Sequence, residues 1–201
     1  MNKLQSLILI ITLLVGSVSV AIAQSFDKGL EAYIASDYQT TLQEWRPLAD
    51  QGDATAQTLL GLMYRNGQGV PQDFTTAASW VRKAADQGVA EAQFELGLMY
   101  AAGQGVPQEP TEAVKLYRQA AQQGYAKAQS ALGDIYWKGW GGVPKDTITS
   151  HMWHNISSAN GLDFSAQMRD IIQRTMTAQD IAKAQQMASE CLSSNYQNCG
   201  Y

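Results

Sequence analysis

Residues 53 to 88 and 89 to 124 of this 201-residue chain align without a gap and are identical at 21 of 36 positions. Glycines mark the frame. Gly52, Gly88 and Gly124 stand 36 apart, as do Gly61, Gly97 and Gly133, and Gly67 and Gly69 recur as Gly103 and Gly105. Ala54-x-Ala56-Gln57 is answered by Ala90-x-Ala92-Gln93, and Leu60-Gly61-Leu62-Met63-Tyr64 by Leu96-Gly97-Leu98-Met99-Tyr100. A third copy starts at Tyr125, keeps Ala126, Ala128, Gln129, Leu132, Gly133 and Tyr136, gains one residue between Lys138 and Pro144, and closes at Gly161. A period of roughly 20 to 50 residues belongs to a unit that cannot bury its apolar face alone and stacks on its neighbours. The chain is thereby confined to an array of such units.

Each copy reads as two helices. Gly52 ends one helix as a left-handed cap and Asp53 can cap the next, so Ala54 and Ala56 open a helix A that runs to about Asn66. Leu60, Gly61 and Tyr64 share one face of it. A glycine inside a helix costs about 1 kcal/mol relative to alanine, so Gly61, Gly97 and Gly133 are expected to admit a neighbouring helix closely. Gly67-Gln68-Gly69-Val70-Pro71 breaks the helix, because glycine permits positive φ and proline cannot continue the ladder. Helix B follows from Asp73, with Ala77, Trp80, Ala84 and Ala85 at helical spacing and Ala113, Leu116, Ala120 and Ala121 in the same places of the second copy. Loops are expected over 66–72, 102–108 and 138–145.

The pattern Ala-x-Ala-Gln-x-x-Leu-Gly-x-Met-Tyr, Gly-x-Gly-Val-Pro-Gln-Asp and Ala-x-x-Trp-x-x-x-Ala-Ala-x-x-Gly over residues 54 to 88 resembles the Sel1-like repeat, a relative of the tetratricopeptide repeats. The resemblance implies an all-α fold, a right-handed superhelical solenoid of antiparallel helix pairs, with repeats at 53–88, 89–124 and 125–161. Glu109-Pro110 departs from Asp73-Phe74. Ser150, Ser157 and Ser158 replace alanines of the third helix B, which predicts looser packing there. Residues 24–52 read as a capping hairpin more similar to a tetratricopeptide pair, turning at Ser36-Asp37. Residues 162–201 read as a closing pair, with helices over about 164–176 and up to about Leu192. Thr177-x-x-Asp180 is a capping box for the second of these.

Residues 1–23 have the three-part form of a secretory signal peptide: Lys3 near the start, an apolar run from Leu7 to Val15, and Ala21-Ile22-Ala23 before Gln24. Continuous apolar length falls short of the roughly 20 residues of a span, so no membrane span is expected after cleavage, and the protein is expected in the periplasm or secreted. In that oxidising setting Cys191 and Cys199 read as a disulfide stapling the tail; the alternative is two independent thiols. The spacing resembles the staple of cysteine-rich secreted Sel1-like proteins. Formal net charge is −4, and no positive field is available to hold nucleic acid by counterion release.

Reactive groups are sparse. His151 and His154 are the only histidines; they sit three apart on the third helix B, but His154 falls where Val81 and Tyr117 fall, at a half-buried packing position, and no cluster of further ligands follows at metal spacing. No Ser-x-x-Lys occurs, Ser157-Ser158 lies in no nucleophile elbow, and Gly-x-Gly-Val-Pro lacks the strand and lysine of a phosphate loop. No catalytic residue, cofactor or metal is nominated. The resemblance does keep an alternative, a hydrolase or binder acting on cell-wall or β-lactam compounds, since some cysteine-rich Sel1-like members have been linked to β-lactam binding or hydrolysis.

What remains is the concave face that a solenoid offers. The tetratricopeptide register, carried over, places Thr55, Thr58, Leu62, Arg65 and Asn66 on it in the first copy, Glu91, Phe94, Leu98, Ala101 and Ala102 in the second, and Lys127, Ser130, Asp134, Trp137 and Lys138 in the third. Phe94, Leu98 and Trp137 form either padding between helices or an aromatic floor edged by Arg65, Glu91, Asp134 and Lys138. Such a floor suits an unidentified protein or peptide partner. Trp140, set among the glycines of the third loop, is either a lid on the apolar seam or an exposed anchor. The expectation is a non-catalytic interaction scaffold.

Overall fold

The computed structural model describes residues 23–200, and the predicted signal segment lies outside them except for Ala23. Among the described residues all regular structure is helical. The helices are α1 (23–34), α2 (Tyr38–Asp50), α3 (Ala54–Asn66), α4 (Phe74–Asp86), α5 (Ala90–Ala102), α6 (Pro110–Ala121), α7 (Ala126–Lys138), α8 (Thr147–Ala159), α9 (Asp163–Gln173) and α10 (Ala178–Ser193). The chain divides into two compact units, one up to Asp73 and one from Phe74. The helix A to helix B loops fall close to their predicted places, at 67–73, 103–109 and 139–146.

In the first unit α1 and α2 close around Trp45, which is fully buried. Its ring stacks on Phe26 and Tyr33 at centroid distances of 5.7 and 5.5 Å, and its indole donates to the Phe26 carbonyl. The turn at Ser36 has φ 61°, and Asp37 caps α2 by accepting from the Thr40 amide. Asp53 caps α3 in the same way, accepting from the Ala56 amide at 2.7 Å, which supplies one of the orphan donors of a helix start.

In the second unit successive helices pack side by side, and α9 and α10 both lie against α8. Three kinds of contact recur every 36 residues. Gln57, Gln93 and Gln129 are buried and donate to the carbonyls of Ala49, Ala85 and Ala121. Arg46, Arg82 and Arg118 donate to the hydroxyls of Tyr64, Tyr100 and Tyr136. Each glycine loop also rests on the start of the preceding helix B: added Cβ atoms on Gly69, Gly105 and Gly141 would meet Tyr38, the Phe74 carbonyl, and Val114 with the Pro110 carbonyl. Since α2 supplies Tyr38, Arg46 and Ala49 at these positions, the N-terminal hairpin is tied to α3 as one repeat is tied to the next.

The serines of α8 do not loosen it. Ser150 and Ser157 are fully buried. Ser150 donates to the Gly133 carbonyl at 2.7 Å, while Ser157 donates to the Ala126 carbonyl and shares a hydrogen bond with Ser165. Alanine could make none of these bonds to α7 and α9, so hydroxyl pairing offsets the polarity buried.

The C-terminal tail folds back as predicted. Thr177 caps α10, accepting from the Asp180 amide, and its hydroxyl donates to the Asp180 carboxylate. Cys191 and Cys199 form a disulfide with Cα atoms 4.5 Å apart, inside the usual range for such bridges of about 4.4 to 6.8 Å. Between them Tyr196 lies against Gly124 and donates to Asn160, whose amide donates to Gln129. The staple thus holds the tail over the edge of the third repeat.

Candidate functional site

The predicted concave stripe separates position by position. Glu91 and Lys127 are exposed, as are Ala102 and Lys138, and Leu98 keeps 38% of its surface. Thr58, Phe94 and Ser130, which occupy one register position 36 residues apart, are all buried. Phe94 is therefore a correction: its ring packs against Tyr117 and Tyr125 at 5.6 and 5.4 Å and belongs to the core of the second unit. This position faces an adjacent helix, and an apolar residue there is padding. Arg65, in the first unit, is half-buried, with its carbonyl accepting from Gln72.

The third repeat carries an open cleft. Ala131, Asp134, Ile135 and Lys138, which follow one stripe of α7, line it together with Tyr117 of α6 and Trp140 of the third loop, around a volume of about 240 Å³. Trp140 is placed by its glycine neighbours. Gly139, Gly141 and Gly142 have φ of 71°, 64° and 81°, a region that side chains disfavour. Gly141 sits against Val114 and the Pro110 carbonyl, where no Cβ would fit. Trp140 aligns with Gln68 and Gln104 of the earlier loops, and the extra residue of the third loop follows Gly141. The indole is half-buried against the core and at the same time lines the cleft, so lid and wall are one arrangement.

Trp137 does not line this cleft. It is half-buried, and the Lys145 ammonium stands 4.8 Å from its ring centre. Phe94, Leu98 and Trp137 do not form one floor, because Phe94 has turned into the core. Sequence reasoning selected Asp134, Lys138 and Trp140 but missed Tyr117, Ala131 and Ile135. Those three carry the ordinary helical signal of core residues, and nothing in their spacing marks the edge that stays open.

Behind the cleft lies His154, which is fully buried rather than half-buried. Its Nε2 is 3.5 Å from Asp134 Oδ1. His151 is also fully buried, with Nε2 3.5 Å from Gln173 Oε1; burial pushes its pKa below the ordinary value. The hydroxyls of Tyr117 and Tyr125 are held neutral, Tyr125 up to about 12 and Tyr117 higher, first by burial and then by the carboxylates of Glu95 and, for Tyr125, Glu91. Among the described residues no group of three or more His, Cys, Asp and Glu side chains could hold a metal ion, and no helix is long and apolar enough to cross a membrane.

A second groove in this unit, of about 320 Å³, is lined by Arg82, Tyr100, Glu112 and Lys115. There Arg82 is bonded to Tyr100 and Lys115 to Glu112, so these four polar groups satisfy one another.

The family model of the Sel1 repeat matches residues 54–89, 90–125 and 126–162. Among solved structures, a protective antigen of uropathogenic Escherichia coli strains displaying an SLR fold superposes with a TM-score of 0.71 at 31% identity, over 79% of this chain and 34% of that one. A Sel1 repeat protein from Oxalobacter formigenes gives a TM-score of 0.67 at 29% identity, over 84% of this chain and 76% of that one. The chain thus spans about a third of the length of the first. Comparison with curated proteins gives no match. Sel1 repeats generally mediate protein–protein interaction and are typically non-catalytic. With three matched repeats over more than half its length and the all-α fold of solved Sel1 proteins, this chain belongs to the Sel1 repeat family.

Proposed function

We propose that this protein is a non-catalytic scaffold, periplasmic or secreted, that holds a protein or peptide on the helix A face of its repeats, the concave face of a Sel1 array. The observation that carries this reading is the cleft of the third repeat, where Trp140, Tyr117 and Ile135 leave an apolar depression open beside two charged side chains. A half-buried aromatic at the edge of a depression is the usual form of an interface anchor. Both histidines are buried in helix packing, as are Ser150 and Ser157, which donate to backbone carbonyls. The secretory form of residues 1–23 and the Cys191–Cys199 bridge support an oxidising compartment.

The test is a pull-down from periplasmic extract with wild-type protein, Trp140→Ala and Trp137→Ala. A partner retained by wild type and Trp137→Ala but lost with Trp140→Ala supports the cleft. A partner retained equally by all three sets the cleft aside.

A further inference from the structure

The third repeat departs from the second at two positions that meet in space. Leu98 of α5 and Tyr117 of α6 are answered in register by Asp134 of α7 and His154 of α8. In the second repeat the Tyr117 ring covers Gly97. In the third the His154 ring covers Gly133, where an added Cβ would come 2.6 Å from Nε2. The imidazole is wholly out of solvent, and neither ring nitrogen has a hydrogen-bond partner. Buried polar atoms are nearly always bonded, and an aromatic hydrocarbon at this position would carry no such penalty. The group that His154 faces is the Asp134 carboxylate, 3.5 Å away and 40% exposed, which is also the one acid of the cleft.

The dimensions and charge of the cleft narrow what it can take. A volume of about 240 Å³ lies below the roughly 300 to 1,000 Å³ of sites that enclose a whole small molecule, and suits one large side chain. Lys138 also lines the cleft and is exposed. It stands one turn from Asp134 on the same helix, and among the described residues no ion pair joins the two. The rest of the lining is Tyr117, Ala131, Ile135 and Trp140, so Asp134 is the cleft's one acid and Lys138 its one cation.

We infer that the cleft receives an apolar side chain of a partner polypeptide with a lysine or arginine close by in sequence, whose cation sets on Asp134, and that His154 is the positioning residue that keeps the Asp134 carboxylate at the cleft. The inference rests on the partner-binding reading and adds the chemistry of the segment bound. A cation–carboxylate contact at the rim selects among partners, while the apolar anchor supplies affinity.

The probes are acetylated and amidated hexapeptides of leucine with lysine, and of leucine with glutamate, titrated into the protein while the Trp140 indole N–H is followed by nuclear magnetic resonance. The lysine peptide is expected to shift that signal and to bind at least roughly tenfold more tightly than the glutamate peptide, with Asp134→Asn removing the difference. His154→Phe, which puts an aromatic hydrocarbon where the second repeat has Tyr117, is expected to melt no lower than wild type and to reduce the preference by roughly threefold or more. An unchanged preference in His154→Phe overturns the positioning role, and Asp134→Asn tests the charge reading even if that variant does not fold. Equal shifts by both peptides overturn the charge reading and leave partner binding standing. A Trp140 shift that grows with protein concentration alone assigns the cleft to a second copy and overturns the inference. A signal unmoved by either peptide does the same, and if the pull-down partner also resists Trp140→Ala, the cleft reading falls with it.

Discussion

The ring of Tyr117 lies so close over the backbone of Gly97 that an added Cβ would stand 2.6 Å from Tyr117 Cε1 and 3.3 Å from the Ala113 carbonyl oxygen. Alanine favours a helix over glycine by about 1 kcal/mol, yet here its methyl group meets a ring that packs on Phe94 within the core. Gly97→Ala is therefore expected to lower stability on balance, and Gly97→Val, with two further carbons, to lose about 1 to 3 kcal/mol or more through overpacking. Chemical denaturation checks both. A valine variant as stable as wild type would mean that α5 and α6 can separate without cost.

The disulfide supports a different part of the molecule. A loop this short constrains the unfolded chain by about 2 to 3 kcal/mol, and only the tail and its Tyr196–Asn160 hydrogen bond depend on it directly. Reduction, or Cys199→Ser, is expected to lower the melting temperature by several degrees and to raise hydrogen exchange around Gly124 and Asn160, with helix content almost unchanged. Two alkylatable thiols in protein taken from the periplasm would contradict the bridge.

The repeat made most of this architecture readable. Gly97 and Gly133 announce close approach because only a missing Cβ explains glycine inside a helix, and Asp53 and Thr177 announce helix starts because their side chains serve as caps. The faces of helix A were harder to separate. Thr58, Phe94 and Ser130 share a stripe with the open positions, and a helix packed on two sides has no single apolar face to betray which side is covered. The pairing of Asp134 with His154 was hidden for another reason. The residues are 20 positions apart on different helices, and only the register comparison with Leu98 and Tyr117 places them opposite one another.

His151 gives the fold a pH dependence whose sign follows from burial. Removal from water, with smaller contributions from Arg169 and His154, lowers its pKa below 6.5, while the Gln173 contact and Asp170 act in the opposite direction. The unfolded chain then takes up a proton at a higher pH than the folded one. The stability this contributes is complete above the ordinary value and is lost as pH falls from there toward the lowered folded value. Melting temperature is expected to fall between about pH 7.5 and about pH 5.5, and His151→Gln to flatten part of that slope. A slope identical in the variant would assign the dependence to other groups.

Phe94 and Leu98 test the division of helix A into covered and open positions, because they are one turn apart on α5 and differ mainly in exposure, 9% against 38%. Phe94 is wedged between Tyr117 and Tyr125, so Phe94→Ala removes contacts on both sides and leaves a void. A cost of about 3 to 5 kcal/mol is expected if the site does not collapse. Leu98→Ala removes a side chain that already meets solvent, and its cost should stay below about 1 kcal/mol. Partner binding should reverse the order once the loss of folded Phe94→Ala protein is accounted for: Leu98→Ala is expected to weaken affinity measurably if the bound segment extends from the cleft along α5, whereas folded Phe94→Ala protein should bind nearly as wild type. Calorimetric melts and titrations of the two variants, compared side by side, decide it. Equal losses of stability would place Leu98 in a packed seam and restrict the binding surface to the third repeat.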